Sequence, residues 1–156
     1  MEINYRLIEY KDIEKLRIWK NTNKQAFFHK QDITPDEQEN WFGEYITRNY
    51  NELDYMFMVE YNKIGVGCVG YRLLNNCIDL YNIMLGNTDF KGKNILKTAM
   101  KMLWYELRGK YPTLKVTVKV LLTNYKMVNW YLENNWVAIH VLDNYILLRW
   151  DGGRDD

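Results

Sequence analysis

Residues 76–107 read NCIDLYNIMLGNTDFKGKNILKTAMKMLWYEL, and the fold turns on this stretch. Cys77 to Leu85 is a mostly apolar run suited to a strand, Gly86 to Asp89 is polar and turn-like, and from about residue 92 to 108 apolar residues recur at helical spacing. Between turn and helix stands Phe90-Lys91-Gly92-Lys93-Asn94, basic and glycine-containing. The first turn of a helix leaves backbone N–H groups unpaired, and the helix dipole adds partial positive charge there. Gly92 permits close backbone approach and two lysines add charge. The junction therefore reads either as a phosphate or pyrophosphate cradle, or as a solvated helix start with ordinary surface lysines.

Upstream, DYMFMVEY (54–61) and IGVGCVGYRLL (64–74) read as two strands around a turn at Asn62-Lys63. Asn75-Asn76 reads as another tight turn, because Asn tolerates positive φ. A two-residue turn there sets Leu74 opposite Cys77 and Arg72 opposite Asp79. Thr34-Pro35-Asp36-Glu37 is the clearest local signal: Thr34 as N-cap, Pro35 at the first helical position and Glu37 completing a capping box. The helix it starts carries Trp41, Phe42, Tyr45 and Ile46 on one face and ends near Asn49. Residues 3–9 alternate as a first strand, and Asp12 is expected to cap a helix running to about Asn21. Segment 22–33 is irregular, and its Phe27-Phe28 pair reads as a plug over the core or as a substrate wall.

Downstream, LKVTVKVL (114–121) alternates as a strand, and 124–134 form a helix with Asn135 as a left-handed cap. WVAIHVL and NYILLRW close the chain as a hairpin around Asp143-Asn144. The order β-α-α-β-β-β-α-β-α-β-β predicts an α/β (α+β) fold with a single mixed, mostly antiparallel central sheet flanked by helices. Residues 1–150 are expected to form one domain and 151–156 (DGGRDD) a disordered tail.

Composition narrows the function. The 156 residues carry a net charge of +1 with Lys and Arg spread along the chain, which argues against nucleic acid as the main partner. The 13 Tyr, 6 Trp and 5 Phe suit a lined cleft. MEINYRLIEY has no apolar signal region, and no run approaches the roughly 20 residues of a membrane helix. Cys68 and Cys77 give neither a metal spacing nor a disulfide framework, so a reduced, cytoplasmic protein without a metal is expected.

Element order and residues together resemble the GNAT superfamily of N-acetyltransferases over nearly the whole chain. The family's pyrophosphate motif, Gln/Arg-x-x-Gly-x-Gly/Ala, corresponds here to Lys91-Gly92-Lys93-Asn94-Ile95-Leu96, with Asn94 and Leu96 where glycines usually stand. Its Asn followed by Tyr-x-x-x-Gly-Phe corresponds to Asn124 and to Tyr131-Leu132-Glu133-Asn134-Asn135-Trp136. Arg17-Ile18-Trp19-Lys20-Asn21, Ile33-Thr34-Pro35 and Gln38-Glu39-Asn40-Trp41 are similar to members acting on small amines, including amino-sugar nucleotides.

The resemblance implies acetyl-CoA as cosubstrate and direct attack by a primary amine of a small molecule. It places the thioester where the fourth strand splays from the fifth, so that a free backbone N–H near Met84 or Leu85 polarises the carbonyl. Tyr131 is the candidate general acid, and Asn124 either contacts the pantetheine arm or caps its helix. Asp79 is a candidate base, although an ion pair with Arg72 would lower its pKa. His29, and Glu60 with a water, are the other candidates. Phe28, His29, Trp41 and Tyr81 are expected to line the acceptor side. Neither cysteine has a His partner for an acyl-cysteine route. Two alternatives stay open: a non-catalytic acyl-CoA-binding or protein-interaction module, and a peptide N-terminal acetyltransferase. A homodimer is an open possibility for assembly.

Overall fold

The computed structural model describes residues 2–151. The chain runs β1 (Ile3–Leu7), α1 (Ile13–Thr22), α2 (Pro35–Tyr50), β2 (Asp54–Tyr61), β3 (Ile64–Leu73), β4 (Cys77–Leu85), α3 (Ile95–Lys110), β5 (Lys115–Leu121), α4 (Tyr125–Glu133), β6 (Trp136–Val141) and β7 (Tyr145–Trp150). The strands form one seven-stranded sheet in the order β1-β2-β3-β4-β5-β7-β6. Each neighbouring pair is antiparallel except β4–β5, which is parallel and connected through α3. The element order and the mixed, mostly antiparallel sheet agree with the sequence reading. Of the expected tail at 151–156, Asp151 donates its N–H to the Asn135 carbonyl at 2.9 Å, and 152–156 lie outside the described residues.

Local chemistry accounts for most of these elements. Thr34 Oγ1 accepts from the Glu37 N–H at 3.1 Å and Glu37 Oε1 accepts from the Thr34 N–H at 3.1 Å, so the capping box is complete. Asn62 and Lys63 both have positive φ, 48° and 71°, which matches the strand twist of a tight hairpin. Asn75-Asn76 sets Arg72 opposite Asp79 as the spacing predicts, but without positive φ at either Asn. Asn135 takes the expected left-handed conformation at φ 69°.

Two expectations are corrected. Asp12 does not cap α1 through its side chain. Its carboxylate instead accepts from the Glu9 N–H at 2.7 Å and pairs with the Arg6 guanidinium at 2.8 Å, closing the turn ahead of the helix. Ile46 is exposed, and Gln38 and Tyr45 are the buried residues of α2.

Alternation along the strands sorts their side chains onto two faces. One core gathers Ile78, Leu80, Val116 and Val118 with Trp104, Leu103, Tyr131, Trp136 and Trp150 from α3, α4 and the terminal hairpin. The other gathers Met56, Met58, Cys68 and Met84 with Leu16 and Tyr45 from α1 and α2. β4 crosses between these cores with a bulge. Gly70 pairs Tyr81 and Cys68 pairs Met84, and Asn82 takes φ 50° to absorb the extra residue. Tyr81 and Met84 therefore both pack with the α1/α2 core, while Ile83 and Leu85 pack with the other.

Candidate active site

β4 and β5 pair only from Cys77–Lys115 to Leu80–Val118. Beyond that they part, and the gap is a cavity of about 350 Å³. Its walls come from both faces: Lys20, Phe27, Phe28 and His29 from α1 and the segment after it, Asp79 to Ile83 from β4, and Asn124, Met127 and Tyr131 from the α4 end. A second cavity of about 220 Å³ shares Lys20, His29 and Asn82 with it and extends to Leu16, Ile33, Trp41 and Met84.

Most residues singled out in the sequence meet here. Asp79, Tyr131, Asn124, His29, Phe28 and Tyr81 all line the larger cavity. Trp41 and Met84 line the smaller one, with His29 common to both. The parting begins directly after Leu80, so Met84 and Leu85 lie past its start. The β4 backbone at the fork is that of Tyr81, Asn82 and Ile83, where the bulge breaks the ladder. Leu85 pairs with Gly67 and packs against the larger core. Glu60 accepts from the Arg6 guanidinium at 3.1 Å and lines neither cavity.

Asp79 corrects an expectation. It stands opposite Arg72 in the ladder, yet the two form no ion pair, because Arg72 turns to stack 3.7 Å over the Tyr81 ring and lies 3.7 Å from Asp54. Burial raises the Asp79 carboxyl above the usual range, against the pull of Lys119 and Arg72. That shift brings a carboxylate toward the pKa of a useful base. Asp54 itself is fully buried, holding the Arg48 Nε at 2.9 Å and the Tyr81 hydroxyl. This network fixes Tyr81 against the cavity. A Cβ at Gly70 would meet the Tyr81 ring at 2.8 Å, so that position must stay bare.

Tyr131 is fully buried on the opposite face. Its hydroxyl contacts the Met100 sulfur at 3.9 Å, and burial raises its pKa. It therefore stays protonated and able to donate. Asn124 holds the N-cap position of α4 without a side-chain capping bond, which leaves its amide free toward the cavity. Cys68 gives its thiol to the Asn82 carbonyl at 3.0 Å, and burial pushes its pKa up to about 12, an inert group at neutral pH. Among the described residues no cluster of three His, Cys, Asp or Glu could hold a metal, and no helix is long and apolar enough to cross a membrane.

Lys20 stands in the Arg17–Asn21 stretch quoted from the sequence, where it is given no role of its own. It follows the buried Leu16 by four residues, an inward position on α1 where an apolar residue is expected. Its ammonium donates to Asn82 Oδ1 at 2.7 Å and lies 5.0 Å from the Phe27 ring centre. Burial lowers its pKa. The signal was a lysine on an apolar stripe together with an Asn inside an apolar strand.

At the head of α3, Asn94 is left-handed with φ 58° and makes no side-chain cap bond. The helix's own ladder starts with the Thr98 N–H to the Asn94 carbonyl at 2.9 Å. The N–H groups of Ile95, Leu96 and Lys97 are thus outside it. Gly92 has φ 85° with open space where a side chain would stand. Ile95 is buried and Leu96 packs against the core, while Lys91 and Lys93 are exposed beside the helix start. These donors and charges fit a pyrophosphate.

The chain is similar to several solved structures. It matches FdhC, a nucleotide-linked sugar GNAT, with a TM-score of 0.79 at 19% identity, covering 94% of this chain and 85% of that one. The chain has the GNAT fold. It also matches the ribosomal L7/L12 α-N-protein acetyltransferase RimL in complex with coenzyme A (TM-score 0.76, 11% identity, 93% and 90% covered). The PaiA N-acetyltransferase of Thermoplasma acidophilum in complex with coenzyme A matches at 0.69 and 17% identity, with 96% and 98% covered. No family model and no curated protein matches the sequence. Within the GNAT fold, β4, which parts from β5, and the head of α3 belong to one strand–turn–helix segment, the stretch that begins at Asn76.

Proposed function

We propose that this chain is an acetyl-CoA-dependent N-acetyltransferase that acetylates a primary amine of a small molecule by direct attack, with residues 1–150 as one catalytic domain. The observation that carries it is the meeting of Asp79 and Tyr131, from opposite faces of the sheet, in one cavity at the β4–β5 fork. When bound, acetyl-CoA supplies a thioester whose carbonyl accepts the amine and whose sulfur leaves.

The chain's own residues do the rest. Backbone N–H groups of residues 92–97, flanked by Lys91 and Lys93, hold the pyrophosphate. Asn124, Met84 and Leu85 would hold the pantetheine arm. The backbone at Tyr81 to Ile83, freed by the fork, offers N–H groups where negative charge develops on the carbonyl oxygen. Asp79, its pKa raised by burial, takes the proton of the ammonium. The Tyr131 hydroxyl, held protonated by burial, donates at the sulfur. Phe28, His29, Tyr81 and Trp41 wall the acceptor side, and this aromatic enclosure supports a small amine over a chain end. Free Cys68 and Cys77 fit a reduced, cytoplasmic setting.

The test follows thiol release from acetyl-CoA with a panel of amines including amino sugars. Asp79→Asn should lower kcat/KM by about 10²–10⁴. The sign of the shift sets the pH profile: a raised carboxyl pKa means that kcat/KM falls, as pH is lowered, at a higher pH than the ~4 of an ordinary Asp. Wild-type turnover by Asp79→Asn with an unchanged acid limb would remove Asp79 from the reaction.

A further inference from the structure

Lys20 and Arg72 are two cations on the α1/α2 side of the cavity that the acetyl-transfer chemistry above does not use. The Lys20 ammonium is partly buried, forms no ion pair among the described residues and has Asn82 Oδ1 as its one hydrogen-bond acceptor there. Arg72 Nε is buried without a hydrogen bond. Arg72 keeps only a 3.7 Å ion pair with Asp54, a carboxylate already shared with Arg48 and Tyr81. The two cations are close enough for Arg72 to disfavour the charge on Lys20. Lys119 adds a third cation beside the one carboxylate of this wall, Asp79. Holding like charges together in a partly desolvated wall costs stability unless an anion joins them.

We infer that the acceptor amine also carries an anionic group, a carboxylate or a phosphate, seated between Lys20 and Arg72 while its ammonium meets Asp79. This deepens the acetyl-transfer reading and rests on it. The pyrophosphate cradle at the head of α3 is a separate site: Lys20 and Arg72 come from α1 and β3, and neither belongs to the 91–97 segment. The smaller cavity, which shares Lys20 and Asn82, gives the body of the acceptor an apolar wall of Leu16, Ile33 and Trp41.

The test titrates ¹⁵N-labelled protein with ethanolamine, β-alanine and O-phosphoethanolamine. These share an aminoethyl unit ending in a hydroxyl, a carboxylate or a phosphate. The Asn82 side-chain amide, whose oxygen holds Lys20, is the reporter, and it detects weak binding without turnover. At least one anionic amine should saturate this signal at a concentration tenfold or more below ethanolamine, and the stronger of the two identifies the anion. Lys20→Met should erase that preference, and Lys20→Arg should keep it. Equal responses to all three amines, no response to any, or an intact preference in Lys20→Met would overturn the inference. A thermal shift with CoA separates the two readings. Anion preference without a CoA-dependent rise in Tm sinks acetyl transfer and leaves the anion site standing. A CoA-dependent rise without anion preference sinks the anion site alone.

Discussion

Under α3 and α4 the sheet is covered by rings. Trp104 lies 4.9 Å from the Trp136 ring, 5.6 Å from Trp130, 5.7 Å from Trp150 and 6.3 Å from Tyr131. Under α1 and α2 the same strands cover sulfur and charge: Met56, Met58, Cys68 and Met84, with Asp54 buried beneath Arg48 and Tyr81. Large rings bury much area each, so the first face supplies most of the apolar burial, and its polar cost is confined to a few groups such as the buried Trp104 and Trp136 indole N–H, which find no acceptor among the described residues. The second face gives up some of that burial to hold Asp79 with its pKa raised and Lys20 with its pKa lowered, the condition under which side chains do chemistry. Tyr131 belongs to the first face by packing and to the second by the cavity it reaches.

Four substitutions would break or sharpen this contrast. The largest effect is expected from Trp104→Ala, which empties the centre of the aromatic cluster. It should cost about 3–5 kcal/mol in denaturant unfolding, and a loss below ~1 kcal/mol would mean that the rings are not the main support.

On the polar face, Asp54→Asn keeps the shape but leaves Arg48 and Arg72 without their shared charge. Arg48 is about one-third exposed, so solvent softens the loss. An expected cost of about 2–3 kcal/mol, measured the same way, reflects that exposure. The same variant should loosen Tyr81, seen as faster hydrogen exchange along β4. Unaltered exchange would show that Tyr81 is held by packing alone.

Tyr131→Phe tests the residue that belongs to both faces. Its hydroxyl has only a long contact to a sulfur, so stability should change by less than about 1 kcal/mol, while the transfer rate falls by about 10²–10⁴. A stable variant with the wild-type rate would return Tyr131 wholly to the core.

The smallest effect is expected from Asn94→Gly. The residue is already left-handed and makes no cap bond, so glycine should alter stability by no more than about 0.5 kcal/mol and preserve the rise in Tm with CoA. Loss of that rise would mean that the Asn94 side chain itself meets the ligand.

The amino-acid sequence determined the features that depend on near neighbours. The Thr34–Glu37 capping box, the Asn62-Lys63 turn, the left-handed Asn94 and Asn135, and Arg72 opposite Asp79 each follow from a few adjacent residues, because hydrogen bonds and φ preferences act over that range. The order of elements followed from the same signals, and with it the fold. What the tertiary structure alone decided lies across the sheet. The fork after Leu80 and the bulge at Asn82 depend on how β3, β4 and β5 seat together. The direction of the Asp79 shift reversed because burial raises its pKa while Arg72, turned to Tyr81 and Asp54, forms no ion pair with it. Lys20 joined the site only through Asn82, 62 residues away in the chain. Burial and charge pairing are properties of the packed assembly, and no local pattern encodes which of two possible partners a side chain will reach.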